Sequence, residues 1–263
     1  MLNTLPGYFA LIKTLQPVFE DLKSTLTQIG SFYSDTTKVP LYAAKAGNGP
    51  RQILITAGTH GEEQAAPLAL AEFLKHDLKH YLKEYTFTII PIINPTGFEK
   101  KTRRGSGNKD LNRYFGKVDC FPENEIVLRY LKNCLFNHHL DMHEDIDQQN
   151  LGAYIYETGD GSADPQIFEL CYKFLDWISL QGIKVNKNPK ICGMRSKAGI
   201  IPRSPGAKTD PQIGKLGSLG GCLVLKGISK RVTTLETSMN CSLESRLHIQ
   251  RRHLNFWLQT EVG

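Results

Sequence analysis

The residues best placed for chemistry sit in Ile53-Leu54-Ile55-Thr56-Ala57-Gly58-Thr59-His60-Gly61-Glu62-Glu63. A short apolar run ends at a glycine, and a helical pattern opens at Gln64. The stretch reads as a buried strand that stops, turns and starts a helix. In open α/β sheets, ligands collect at such carboxyl strand ends. His60 and Glu63 offer an imidazole nitrogen and a carboxylate oxygen three residues apart, and both donor types suit zinc. A polar turn with a helix-start acid has the same letters, since acids favour helix N-termini.

Two further strand ends carry matching residues. His139-Leu140-Asp141-Met142-His143-Glu144 closes an apolar run in histidine, and Val232-Thr233-Thr234-Leu235-Glu236-Thr237 closes another in glutamate. His60, Glu63 and His143 would hold one Zn2+ per chain with a position left open, and Glu236 would stand nearby as a base. A satisfied core histidine is the plainer role for His143 taken alone. His138 and His139 share its type but precede the apolar residues of the strand. Asp141 lies on the strand face of His143, where it would orient a ligand imidazole. The segment Arg103 to Arg113 holds guanidinium groups, which grip carboxylates bidentately, although a solvated basic loop has the same composition.

These residues need elements to position them. Apolar residues at helical spacing from Val18 to Ile29 predict an N-terminal helix reaching about Gly30. Residues 38–46 read as a strand. Gly47-Asn48-Gly49-Pro50 then turns the chain into Ile53–Ala57, which predicts a hairpin. Helical periodicity follows Gln64, and Phe87–Ile93 is a strand ending in Asn94-Pro95-Thr96-Gly97. Residues 98–121 are irregular and basic, as functional loops often are. Glu125–Phe136 is a helix with Ile126, Val127, Tyr130, Leu131 and Leu135 inward. Tyr154-Ile155-Tyr156 is a short strand, and Asp164 caps a helix running to Leu180. Residues 182–222 read as a substrate-facing excursion of loops and short strands, and Leu243–Leu258 as a closing amphipathic helix. Near-continuously apolar strands alternating with helices predict one α/β domain over residues 1–263. Its sheet is mixed but largely parallel and twisted, with helices on both faces, and residues 1–50 supply an N-terminal helix and edge strand.

At 263 residues with 40% hydrophobic and 22% charged content, the composition is that of a globular protein. The net charge of +6 comes from no Lys/Arg block, so a nucleic-acid partner has no support. No run approaches a membrane span and no cleavable signal is visible. Six cysteines without a Cys-x-x-Cys pair fit reduced thiols, and the expected location is cytoplasmic.

Taken together, His60-Gly61-Glu62-Glu63, Asn94-Pro95-Thr96-Gly97-Phe98, Arg103, Asp110-Leu111-Asn112-Arg113, Asp141-Met142-His143 and Leu235-Glu236-Thr237 resemble the zinc carboxypeptidase (M14) family and its relatives. Order and approximate spacing match from about Ile53 onward. The resemblance implies a carboxypeptidase-like fold with zinc on His60, Glu63 and His143, and Glu236 as general base. It implies Arg103, or its neighbour Arg104, polarising the scissile carbonyl. Asn112 and Arg113 would hold the substrate carboxylate. The implied chemistry is attack of a zinc-activated water on a peptide or amide bond next to a free carboxylate. Carboxypeptidases carry a tyrosine in a flexible loop before the catalytic glutamate, whereas this chain has none between Gly182 and Glu236. The compact motifs look closer to murein-peptide amidases, or to the succinylglutamate desuccinylase and aspartoacylase branch. The Arg103-to-Arg113 spacing favours the peptidase branch. The alternative is an N-acyl-amino-acid amidohydrolase, and the reading from a different class is a non-catalytic zinc-binding module. The expected partner is a small peptide or acyl-amino acid. Arg195, Lys197, Arg203 and Lys208 are candidate liners of an anionic pocket.

Overall fold

The computed structural model describes residues 5–147, 151–159, 164–203 and 217–260. Its centre is a sheet of eight strands: β1 (Leu26–Ser34), β2 (Thr37–Ala46), β3 (Arg51–Thr56), β4 (Tyr85–Ile90), β5 (His138–Asp145), β6 (Tyr154–Gly159), β9 (Ile200–Arg203) and β10 (Arg231–Ser238). The pair β7 (Lys190–Ile191) and β8 (Met194–Arg195) stands apart. The strand order is β1-β2-β4-β3-β5-β10-β6-β9. The pairings β4/β3, β3/β5, β5/β10 and β6/β9 are parallel, so the centre of the sheet is parallel and antiparallel ribbons flank it. The fold class is that expected from the sequence.

Helices complete the layers: α1 (Tyr8–Asp21), α2 (Ala65–His76), α3 (Pro95–Lys100), α4 (Pro122–Leu131), α5 (Pro165–Leu180), α6 (Leu219–Leu225) and α7 (Leu243–Thr260). Strand residues Ile53, Leu54, Ile55, Phe87, Ile89, Leu140 and Leu235 are fully buried. Each such side chain contributes about 1.5–3 kcal/mol by leaving water, which anchors the strands whose ends carry the polar groups. Asp164 caps α5 as expected, its carboxylate accepting the Gln166 N–H at 2.8 Å.

Three expectations change. The N-terminal helix stops at Asp21, because Lys23 turns the chain in the left-handed region (φ 54°), and Leu26 and Ile29 belong to strand β1. The hairpin joins β1 to β2, not β2 to β3: strand β4 lies between the latter two and pairs with both. Helix α4 ends at Leu131, so Leu135 lies beyond it and is exposed. The excursion over 182–222 holds β7, β8, β9 and the start of α6, a helix capped by Ser218 that the sequence reading did not anticipate. Lys208 lies outside the described residues.

No helix among the described residues is long and apolar enough to cross a membrane.

Candidate metal centre and active site

Register decides what meets at the carboxyl ends of the central strands. Thr56 pairs with Asp141, Asp141 with Thr234, and His143 with Glu236. Glu236 also pairs with Tyr154 on its other side, and Thr234 with Tyr156. Side chains alternate faces along a strand, so all of these project from one side of the sheet.

The turn after β3 brings His60 and Glu63 to that side. Gly58 takes a φ of +64°, which suits glycine. Gly61 meets the turn after β4 so closely that an added Cβ would lie 1.9 Å from the carbonyl carbon of Gly97. Thus His60-Gly61-Glu62-Glu63 and Asn94-Pro95-Thr96-Gly97 are two halves of one packed junction. The Asn94 carboxamide accepts the Gly97 N–H at 2.8 Å and donates to the Arg103 carbonyl at 3.2 Å, so it also seats the arginine segment. Glu144 seats the helix that follows Glu63: its Oε2 accepts the Ala65 N–H at 2.7 Å, and Arg246 Nη1 neutralises its Oε1 at 2.6 Å.

His60, Glu63 and His143 converge. One donor atom from each lies within 4.8 Å of the others, and all three residues are buried. His60 Nδ1 is 2.5 Å from Glu63 Oε1, and His143 Nδ1 is 2.8 Å from Glu63 Oε2. The opposite ring nitrogens face carboxylates. His60 Nε2 is 3.0 Å from Asp110 Oδ1, and His143 Nε2 is 3.4 Å from Asp141 Oδ2. This donor set fits zinc: two imidazoles and a carboxylate, each imidazole oriented from behind by an acid.

The charges are strongly coupled. Burial alone would lower the pKa of both histidines, but the Glu63 carboxylate with Asp110 raises His60, and Glu63 with Asp141 raises His143 well above the usual value. Burial opposes the charge on Glu63, and the two imidazoles outweigh it and lower its pKa. Glu236 moves the other way, to about 8: burial raises it, His143 lowers it, and the Glu63 and Asp145 charges raise it further.

Around this cluster lies a cavity of about 500 Å³. Arg103, Asn112, Arg113, Asp141, Thr234 and Glu236 line it with the three candidate ligands. Arg103 Nε donates to Asp110 Oδ2 at 3.1 Å, and its Nη1 lies 3.5 Å from both Glu62 and Glu63. Arg104 turns to the Asn108 carbonyl and lines a neighbouring cavity, so of the two arginines it is Arg103 that faces the cluster. The Asn112 carboxamide oxygen accepts the Leu219 N–H at 2.9 Å, tying the arginine loop to α6. Of the described basic residues in the excursion, Arg203 reaches this cavity and lies 5.3 Å from the Tyr156 ring centroid. Arg195 and Lys197 do not line it. Lys197 instead covers the Phe168 ring.

Tyr154 and Tyr156 line the same cavity. The Tyr154 hydroxyl donates to Asp145 Oδ2 at 2.7 Å. Neither tyrosine is singled out by the sequence reading, which looks for one only between Gly182 and Glu236. Their i, i+2 spacing on one strand is a usable signal, but only once β6 is known to lie beside β10.

The catalytic-domain model of the succinylglutamate desuccinylase/aspartoacylase family matches residues 49–181, just over half of the chain. The chain belongs to this family. Its members are hydrolytic enzymes, and the matched span carries His60, Glu63, Arg103, Asn112, Arg113 and His143. No curated protein matches the sequence. Solved structures with the same fold include a provisionally assigned metallopeptidase from Shewanella amazonensis (22% identity, TM-score 0.78, 96% of this chain and 92% of that one). Others are a metallo-carboxypeptidase from Burkholderia cenocepacia (16%, 0.64, 94% and 67%) and bovine thrombin-activatable fibrinolysis inhibitor (15%, 0.66, 96% and 94%). At these identities the likeness is one of fold. The desuccinylase/aspartoacylase match and the carboxypeptidase-like fold agree with the resemblance carried by the motifs.

Proposed function

We propose that this protein is a zinc-dependent hydrolase of a peptide or amide bond next to a free carboxylate. The observation that carries the reading is the convergence of His60, Glu63 and His143 beside Glu236 in a cavity that also receives Arg103 and Arg113. His60, Glu63 and His143 would hold a zinc ion, which would supply Lewis acidity and lower the pKa of a bound water.

The residues of the chain divide the remaining work. Asn112 and Arg113 hold the substrate carboxylate and so fix which bond is presented. Arg103 sits against the scissile carbonyl and stabilises negative charge as it develops on oxygen. Glu236 accepts a proton from the attacking water at a carboxylate oxygen and passes it to the leaving nitrogen. Arg113, Lys117 and Arg203 set cationic groups in a cavity that carboxylates also line, and these cations would meet the anionic group of a small substrate. A cytoplasmic setting belongs to the same proposal, and the six free thiols support it.

The family match is in keeping with a second reading as well, an N-acyl-amino-acid amidohydrolase. Zinc-loaded protein incubated with short peptides, murein peptides and N-acyl amino acids separates the two by which class releases free amine. Release from none of them, with one zinc bound, would remove both readings and leave a zinc-binding module.

A further inference from the structure

Behind His143 a line of buried side chains runs deeper into the sheet. Asp141 Oδ2 faces His143 Nε2 at 3.4 Å. Asp141 Oδ1 accepts the Thr56 hydroxyl at 2.6 Å. The same Thr56 oxygen lies 2.6 Å from His139 Nε2. Thr56 and His139 are completely buried, and Asp141 and His143 are nearly so. The geometry follows from register. His139, Asp141 and His143 alternate onto one face of β5, and Thr56 is the partner of Asp141 on β3.

A proton inventory orders the line. A threonine hydroxyl has one hydrogen, and a carboxylate oxygen only accepts. The Thr56 hydrogen therefore goes to Asp141, and the Thr56 oxygen must receive its bond from His139. That makes His139 a neutral imidazole with its hydrogen on Nε2. Its Nδ1 is buried with no hydrogen-bond partner, which suits the tautomer bearing no hydrogen there. The order is His139 to Thr56 to Asp141, whose other oxygen stands 3.4 Å from His143 Nε2, an ion-pair contact longer than a formed hydrogen bond. With the Asp141 carboxylate beside Nε2 favouring a hydrogen there, His143 Nδ1 is left to ligate a metal once zinc displaces the proton it shares with Glu63.

We infer that Thr56 and His139 are positioning residues for the metal centre: they hold Asp141 in the orientation that makes His143 Nδ1 a ligand. The inference rests on the metal reading of His60, Glu63 and His143. Neither residue lines the cavity, and Asp141 stands between them and His143.

The test is zinc affinity, measured by competition with a chromophoric chelator, together with the visible spectrum of the cobalt(II)-loaded protein. Thr56→Val keeps the shape and β-branching but removes the bridge. It is expected to weaken zinc binding by about tenfold or more and to alter the cobalt spectrum, as loss of outer-shell partners does. Thr56→Ser restores the hydroxyl and is expected to retain wild-type affinity and spectrum. His139→Gln keeps a donor where Nε2 stands and should behave like wild type, whereas His139→Leu should behave like Thr56→Val. This second pair decides the matter if Thr56→Val does not fold. A folded Thr56→Val or His139→Leu protein with wild-type zinc affinity and an unchanged cobalt spectrum overturns the inference, even if its melting temperature falls. Wild-type protein that takes up neither metal overturns the metal reading itself, and this inference with it.

Discussion

Glu236 and His143 are direct partners across the parallel strands β10 and β5, and the Glu63 charge acts on both, raising the pKa of each. Because their side chains leave the same face, the acid is held beside the candidate metal centre by backbone hydrogen bonds and not by a flexible loop.

Replacing Glu236 with Gln keeps shape and polarity but removes the basic oxygen. Turnover is expected to fall by about 10²–10⁴-fold, the usual share of general acid–base catalysis. Zinc content stays at one equivalent because Glu236 is not among the ligand donors. Steady-state kinetics with metal analysis on the same preparation checks both halves.

Zinc affinity should depend steeply on pH. His60 and His143 have raised pKa values in the metal-free protein, so both hold protons that zinc must displace. As pH falls, affinity is expected to begin dropping above the ordinary histidine value of about 6.5 and to approach about two decades per pH unit. The stability of metal-free protein runs the other way. The raised histidines stabilise the fold fully below their unfolded pKa, and this is lost as pH rises through the folded values. The lowered Glu63 stabilises above its unfolded pKa, and this is lost as pH falls. The contribution of these three groups is therefore greatest at about pH 4.5–6.5, whereas Glu236, raised to about 8, opposes folding increasingly as pH rises above its unfolded value. Melting curves with and without chelator, across that range and above it, test the opposed trends.

Arg113→Ala should discriminate between substrates. A charge-assisted hydrogen bond is worth about 1.5–3 kcal/mol, so kcat/KM for a substrate with a free carboxylate is expected to fall about tenfold to a hundredfold. The same substrate with that carboxylate amidated should lose little. Equal losses on both would show that Arg113 does not read the carboxylate.

Arg246→Ala is a test of the scaffold. It leaves Glu144 fully buried and unpaired at the start of α2. Breaking a buried pair from one side typically costs about 3–5 kcal/mol. Since Glu144 Oε2 also holds the Ala65 N–H, denaturant unfolding should show a large stability loss, with zinc affinity lowered as the turn carrying Glu63 loosens.

Local pattern made several features legible in advance. The apolar runs at Ile53 and Leu140, the Gly58 turn, the Asp164 cap and the residue types at His60, Glu63, His143 and Glu236 are local properties of neighbouring residues, and periodicity reports them. What neighbours in sequence cannot specify is which strands become neighbours in space. Strand β4 separates β2 from β3 although Gly47-Asn48-Gly49-Pro50 is good turn chemistry, because parallel pairing of Tyr85–Ile90 with Arg51–Thr56 buries both runs. The choice of Arg103 over Arg104 comes from Asp110, which holds the Arg103 guanidinium and is itself anchored by the sequence-distant His60. The placement of Tyr154 and Tyr156 beside Glu236, and the line from His139 through Thr56 to Asp141, depend on register between strands far apart in the chain. Register is a cooperative outcome of the whole sheet, and a shift of one residue would send each of these side chains to the opposite face.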